Sequence, residues 1–294
     1  MMAVPEQESA FAKINLSLRV LGRRPDGYHE LQSLVVFAAI ADRLEAHHAT
    51  ALTLELDGPF AATLAGEADN LVLRAARKLR DLCGVGEGAR MTLEKNLPVA
   101  SGIGGGSADA AAALRALMRL WHVSPDEEDL MRLAASLGAD VPVCLDPAPA
   151  LMGGIGENIR HLPRLPDFWL LLANPGIALS TAEVFRALAA PPLAAAPATV
   201  PLPDFATLEA LVEWLRDNAN DLERPARALL PLTGEVIGEI AATPGCRLAR
   251  MSGSGATCFG IYAGGSEAHS AARTLAAAHP DWWVVAAPAV SGSG

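Results

Sequence analysis

Apolar and polar side chains alternate from Phe11 to Val20. Ile14, Leu16, Leu18 and Val20 fall on one face, and Lys13, Asn15, Ser17 and Arg19 on the other. A period of two predicts a half-buried strand. Pro25-Asp26-Gly27 is turn chemistry. The apolar run Leu34 to Ile40 predicts a buried strand, and Leu52, Leu54 and Leu56 alternate in a third. The period then changes. Leu71, Ala75, Leu79 and Leu82 recur at helical spacing, with Asn70 at the N-cap position and Gly84 as terminator. A short strand at Met91 to Leu93 leads to a glycine cluster and an Ala-rich helix from about Ser107 to Trp121. Ser124 and Glu127 predict a capping box for the next helix, with Pro125 at its first position and Gly138 at its end. Asp140 follows on a short loop before an apolar, strand-like run.

The second half begins near Gly153. It predicts strands at Phe168 to Leu172 and Trp282 to Ala287, and helices at Ala182 to Leu188, Leu208 to Arg216 and Glu267 to Ala278. Arg247 to Ile261 reads as strand, glycine turn, strand. Strands and helices mix in both halves, without an internal repeat, which predicts an α+β fold. With 294 residues, two domains are expected, at 1–152 and 153–294.

Composition narrows the function. The chain is 51% apolar and 19% charged, so it has material for a core and is not a disordered chain. Its formal charge of −10 disfavours a protein that grips a nucleic-acid backbone. The longest uncharged tract, Ala187 to Pro203, is broken by Pro191, Pro192, Pro197 and Pro201 and reads as a linker or surface loop, not a spanning helix. Met1 to Ala10 lacks the pattern of a signal peptide. Cys83, Cys144, Cys246 and Cys258 form no CxxC pair, and buried free thiols are expected. The expectation is a soluble, cytoplasmic protein without nucleic-acid or membrane partners.

The chemical signal is the run Pro98-Val99-Ala100-Ser101-Gly102-Ile103-Gly104-Gly105-Gly106-Ser107. Glycines let the backbone approach a ligand closely, and the following helix offers free N–H groups and its positive dipole end. That pairing suits phosphate. It is neither a Walker loop, since no lysine precedes Ser107, nor a dinucleotide fingerprint, since Ser107 stands where the last glycine belongs. A second glycine segment, Gly253-Ser254-Gly255, lies between two predicted strands. Alone it reads as a hairpin loop. Paired with the first, it could help enclose a polyphosphate. Lys13 and Asn15 emerge together from one strand face. In isolation that lysine is an ordinary solvated residue, and Asp140 a turn residue. Together a carboxylate and a lysine can orient a hydroxyl and stabilise its alkoxide. Tyr28-His29, beside a turn, could stack on a base. Phe185 in isolation reads as a core residue.

Ala12 to Leu16, Gly22-Arg23-Arg24-Pro25-Asp26-Gly27-Tyr28-His29-Glu30-Leu31, the loop Pro98 to Ala111, Leu137 to Pro142 and Gly253 to Ala256 together resemble the motifs of the GHMP kinases. The resemblance spans nearly the whole chain. It implies a two-lobed α+β fold with the active site in the cleft between lobes. It implies transfer of a phosphoryl group from ATP, with Mg2+, to a small alcohol. The stretch around Tyr28 narrows that alcohol to a cytidine diphosphate-linked methylerythritol; another small-molecule alcohol is the alternative. By the same resemblance Asp140 is the general base and Lys13 its electrostatic partner. Asn15 holds the erythritol part. Tyr28, His29, Thr181 and Phe185 bind the cytidine end. Pro98, Ala100, Ser101, Gly102, Ile103, Gly104, Gly105, Gly106, Ser107, Gly253, Ser254 and Gly255 bind ATP, with Asn70 and Lys95 lining the nucleotide pocket. Ser107 is the candidate Mg2+ contact. A monomer or weak homodimer is implied. Ile103 replaces the usual Leu, and Ala108-Asp109 stands where a second Ser is common.

Overall fold

The computed structural model describes residues 5–64, 70–162, 164–193 and 201–290. In chain order the elements are β1 (Glu6–Asn15), β2 (Arg19–Arg23), β3 (His29–Ala49), β4 (Thr53–Asp57), α1 (Leu71–Cys83), β5 (Gly88–Glu94), α2 (Gly105–Leu120), α3 (Glu127–Leu137) and α4 (Val141–Cys144). They continue with β6 (Ala150–Gly154), β7 (Asn158–His161), β8 (Trp169–Asn174), α5 (Thr181–Leu188), α6 (Leu208–Asp217), α7 (Glu223–Leu229), α8 (Leu232–Ala242), β9 (Leu248–Met251), β10 (Cys258–Tyr262), α9 (Gly265–Ala278) and β11 (Trp283–Pro288). Strands and helices are mixed, as an α+β fold requires.

The chain forms two compact units that exchange segments. The first comprises Met1–Ala12, Ile40–Val99 and Gly104–Asp146; the second comprises Lys13–Ala39, Ala100–Ile103 and Pro147–Gly294. In the first unit β4 pairs parallel with β5, and β5 pairs antiparallel with Arg43–Ala49 of β3. Helices α1 to α4 pack on one another. Ala-rich α2 buries most of its length, from Ala108 to Leu120, because small side chains let neighbouring backbones approach. Asn70 caps α1 by accepting the Val72 N–H at 2.9 Å, and Gly84 ends it in the left-handed region at φ 64°.

In the second unit Leu31–Val35 of β3 pairs with β6, which pairs with β7. A separate antiparallel sheet has the order β11-β8-β10-β9. Its core joins Leu171 and Ala173 to Val236, Ile240, Tyr262 and Leu275.

Four expectations change. The strand expected over Phe11 to Val20 starts at Glu6 and breaks after Asn15. It is not half-buried, because Lys13, Asn15 and Ser17 are as covered as Ile14 and Leu16. The capping box does not form: α3 starts at Glu127 with Asp126, directly after Ser124 and Pro125, at the N-cap. Glu127, Glu128 and Asp129 put three carboxylates at the helix's positive end instead. The run after Asp140 is a helical turn, α4, with Pro142 near its start rather than a strand. Of the thiols expected to be buried, Cys144 and Cys258 are, but Cys83 and Cys246 are half-buried. The Ala187 to Pro203 tract begins inside α5, and its residues 194–200 lie outside those described. Among the described residues no helix is long and apolar enough to cross a membrane.

Candidate active site

The first unit holds the glycine-opened helix. Gly104, at φ 65°, is the N-cap, so α2 begins at Gly105, two residues before the predicted start. Gly106 is exposed, and a Cβ placed on it would meet nothing within 4 Å. Open space therefore lies before the first N–H groups of α2, which have no intrahelical partner. Ser107 sits in this turn. Its hydroxyl lies 3.8 Å from where a side chain on Gly138 would begin. The α3–α4 connection that carries Asp140 thus abuts the start of α2, and Asp140 itself is half-buried at the N-cap of α4.

Under the same turn lies a buried ion cluster. Lys95 is 2% exposed, and its Nζ donates to Asp42 Oδ2 and, at 2.6 Å, to Asp109 Oδ2. Asp42 Oδ1 accepts the backbone N–H groups of Asn96 and Leu97 at 2.5 and 2.8 Å. Burial pushes the Asp109 carboxyl up to about 8 against the pull of Lys95, with Asp42 adding to the rise. Its Oδ1 is buried without a hydrogen-bond partner. The two carboxylates raise the Lys95 ammonium against its desolvation. Lys95 and Asn70 were expected to line a nucleotide pocket. The structure engages the Lys95 ammonium with two carboxylates and the Asn70 carboxamide oxygen with a helix cap.

The second unit contains the other glycine segment and the remaining candidates. Gly102, at φ 76°, packs directly on it. A Cβ there would stand 2.6 Å from the Ser252 carbonyl oxygen and 2.7 Å from the Gly255 N and O. Ser252 Oγ donates to the Gly102 carbonyl at 3.0 Å and accepts the Asn15 N–H at 3.1 Å. The Thr257 N–H donates to the Ser101 carbonyl at 3.1 Å, and the Lys13 N–H to that of Ile103 at 2.9 Å. Ile103 itself is fully buried, so its substitution for Leu is a matter of packing. Pro98 and Ser101 are buried, and Ala100 adopts a positive φ of 51°.

Lys13 is 3% exposed, which rules out a solvated role for it. Asn15 donates through Nδ2 to Ser33 Oγ at 2.8 Å, while its Oδ1 is buried with no hydrogen-bond partner. The His29 and Phe185 rings stack on each other with centroids 4.7 Å apart, and Tyr28 stands 60% exposed beside them. Burial and the Arg23 guanidinium both lower the His29 pKa, favouring neutral imidazole. Thr181 and Ser254 hydroxyls are hydrogen-bonded at 2.7 Å. Asn220, which sequence reasoning missed, donates through Nδ2 to the Met251 and Gly253 carbonyls at 2.9 and 2.8 Å. Its Oδ1 accepts the Leu222 N–H. The only sequence signal for it is a polar Asn-Asp pair after the helical pattern Leu208 to Arg216. Asp42 was missed for a similar reason, being an acid two positions beyond the apolar run Leu34 to Ile40.

Such a pair of glycine segments, the first opening a helix beside a carboxylate-bearing turn, defines a phosphotransferase of the kind the sequence motifs resemble. The N-terminal domain pattern of the GHMP kinases matches residues 70–154, and their C-terminal pattern matches 195–281. The chain belongs to the GHMP kinase family. It is 64% identical over 284 residues to the 4-diphosphocytidyl-2-C-methyl-D-erythritol kinase of Parvibaculum lavamentivorans, covering 96% of this chain and 98% of that one. It is 53% identical to the enzyme of the same name from Paramagnetospirillum magneticum, covering 95% and 97%. A crystal structure of 4-(cytidine 5'-diphospho)-2C-methyl-D-erythritol kinase superposes with a TM-score of 0.75 at 36% identity, over 98% of this chain and all of that one. Homoserine kinase from Cytophaga hutchinsonii superposes at 0.70 with 16% identity, over 99% and 96%, a likeness of fold alone.

Proposed function

We propose that the protein transfers the γ-phosphoryl group of ATP to the 2-hydroxyl of 4-diphosphocytidyl-2-C-methyl-D-erythritol, a step of non-mevalonate isoprenoid precursor biosynthesis. The observation that carries phosphoryl transfer is the abutment of the Gly138–Asp140 turn on Ser107, at the open glycine start of α2. The relatives' names supply the acceptor.

In this reading the free N–H groups from Gly104 to Ser107 receive the ATP phosphates. Gly253, Ser254 and Gly255 contribute to the nucleotide site, and Thr181, hydrogen-bonded to Ser254, serves the substrate. Asp140 takes the proton from the acceptor hydroxyl as its oxygen forms the new bond to the γ-phosphorus. The bond to the bridging β,γ-oxygen breaks, and ADP leaves. The Lys13 ammonium stabilises charge on the attacking oxygen and the transferred group. A substrate hydroxyl would give Asn15 Oδ1 the donor it lacks. Tyr28, His29 and Phe185 form the aromatic cytosine site.

Among the described residues no cluster of three His, Cys, Asp or Glu could hold a metal. One hydroxyl, Ser107, beside phosphate oxygens suits Mg2+ carried by the nucleotide, which keeps most of its water. When bound, Mg2+ supplies neutralisation of charge on the β- and γ-phosphate oxygens. The same reading makes 1–152 the ATP-binding and catalytic domain and 153–294 the substrate-binding domain. It places a monomer or weak homodimer in the cytoplasm.

The test is ADP release against a panel of alcohols. Release should require the diphosphocytidyl alcohol and should vanish in Asp140→Asn while ATP binding persists. Equal release with another alcohol would replace the acceptor. Wild-type turnover in Asp140→Asn would remove Asp140 as base.

A further inference from the structure

We infer that the Asp42–Lys95–Asp109 cluster is a positioning device for ATP: it fixes both flanks of the first glycine loop and so sets where the N-terminal N–H groups of α2 point. The inference rests on the reading of that loop as the ATP phosphate site, and it changes the part given to Lys95.

The geometry is that of a stake. On the incoming flank, Asp42 Oδ1 accepts two successive backbone N–H groups, those of Asn96 and Leu97, immediately before Pro98. On the outgoing flank, Asp109 sits in α2 four residues after Gly105. Lys95 Nζ joins the two carboxylates. The cluster also lies directly under the first helical residue: a Cβ on Gly105 would stand 3.7 Å from Lys95 Nζ and 4.0 Å from Asp42 Oδ2. All three side chains are buried, so none of them can reach a ligand in the open space before Gly106. Their influence passes through the backbone they hold.

Buried charges tied by hydrogen bonds specify one geometry more strictly than apolar contacts do. A glycine loop has the opposite tendency, since glycine allows many conformations. Without its stakes the loop would sample positions in which its N–H groups do not converge. A misplacement of about 1 Å in a positioned site costs on the order of 100-fold. Chain order adds to the case. Lys95 and Asp109 are separated by 14 positions, and the whole glycine segment lies between them.

The experiment measures the affinity of folded variants for ATP and, separately, for cytidine diphosphate by calorimetric titration. Asp109→Leu removes one stake and should weaken ATP at least tenfold, with cytidine diphosphate unchanged. Asp109→Asn keeps an oxygen for Nζ and should recover most of that loss. Lys95→Arg retains the charge, but its planar fork cannot place one nitrogen between both carboxylates. It covers the case in which Asp109→Leu does not fold, and it should also weaken ATP selectively. Folded variants that bind ATP like wild type, or that lose both ligands in equal measure, would overturn the positioning role. ATP binding is read without the acceptor. Failure of the acceptor assignment would instead appear as a wild-type protein that binds ATP but does not turn over the diphosphocytidyl alcohol.

Discussion

The two glycine segments are supported by opposite chemistry. The flanks of the first are held by three ionisable side chains out of contact with water, Asp42, Lys95 and Asp109. In the second, a neutral carboxamide, that of Asn220, donates to the carbonyls of Met251 and Gly253. Both devices fix backbone that glycine leaves free. They differ in what remains when a member is lost. A broken ion cluster leaves buried charge uncompensated, whereas a broken amide tie leaves neutral carbonyls, which cost less to strand than a charge does. The charged device is therefore the more brittle.

Lys95→Met strikes the comparison hardest. It leaves two carboxyl groups facing each other without a cation, and losing one partner of a buried pair costs about 3–5 kcal/mol. Urea denaturation should show a loss of that size. A loss under about 1 kcal/mol would mean that water already reaches the cluster. Next comes Gly102→Ala, at the contact between the segments within the second unit. The new methyl group would stand 2.6–2.7 Å from three backbone atoms, at a positive φ. Backbone cannot swing aside as a side chain can, so overpacking and strain should together cost about 3 kcal/mol in the same measurement. A crystal structure of the variant should show the segments parted. Asn220→Ala follows at about 2 kcal/mol, from two carbonyls and one N–H left without their partners. If it costs as much as Lys95→Met, the contrast between charged and neutral support fails.

Acid–base linkage separates the supports more gently. Asp109 is pushed up to about 8, above its value in an unfolded chain, so the fold prefers the protonated carboxyl. Its contribution to stability is complete below about pH 4 and is lost as pH rises toward 8. Asp109→Asn is neutral throughout. Relative to wild type it should gain stability between about pH 5 and 8, read from melting temperature against pH. A pH-independent difference would show Asp109 ionised in the native protein. Asn220 has no proton to lose, so Asn220→Ala should shift melting equally at every pH.

How much of this was legible beforehand depended on whether a signal was local. Helix α1 was read completely, because Asn70, the apolar period and Gly84 all act within their own segment. The capping box of α3 does not form because Ser124 and Asp126 both offer a cap, and Asp126 sits closer to the helix. The four glycines of the first loop read as one motif, yet they act separately. Gly102 makes room for another backbone, Gly104 takes the left-handed cap, and Gly106 faces open space. Only the fold assigns those parts. Lys95 was noticed without its partners, since Asp42 is 53 positions away. Asn220 carried no pattern, because its carbonyl partners come from a strand and turn about 30 positions later. Long-range polar ties leave no period in a sequence.

Gly106 gives the mildest and most selective break. Its Cβ position is empty of protein, and no positive φ forces glycine there. Alanine in the first turn of α2 should therefore hold stability or raise it by up to about 1 kcal/mol, through helix propensity. The same methyl group projects into the space before the helix N-terminus, where phosphate is proposed to sit. ATP affinity should fall about tenfold, equivalent to about 1.4 kcal/mol, in a protein that melts no lower than wild type. That would set Gly106 apart from Gly102, whose loss should lower stability first. If Gly106→Ala binds ATP unchanged, the phosphates do not approach the backbone at that residue, and the N–H groups of Gly104, Gly105 and Ser107 would have to carry the site.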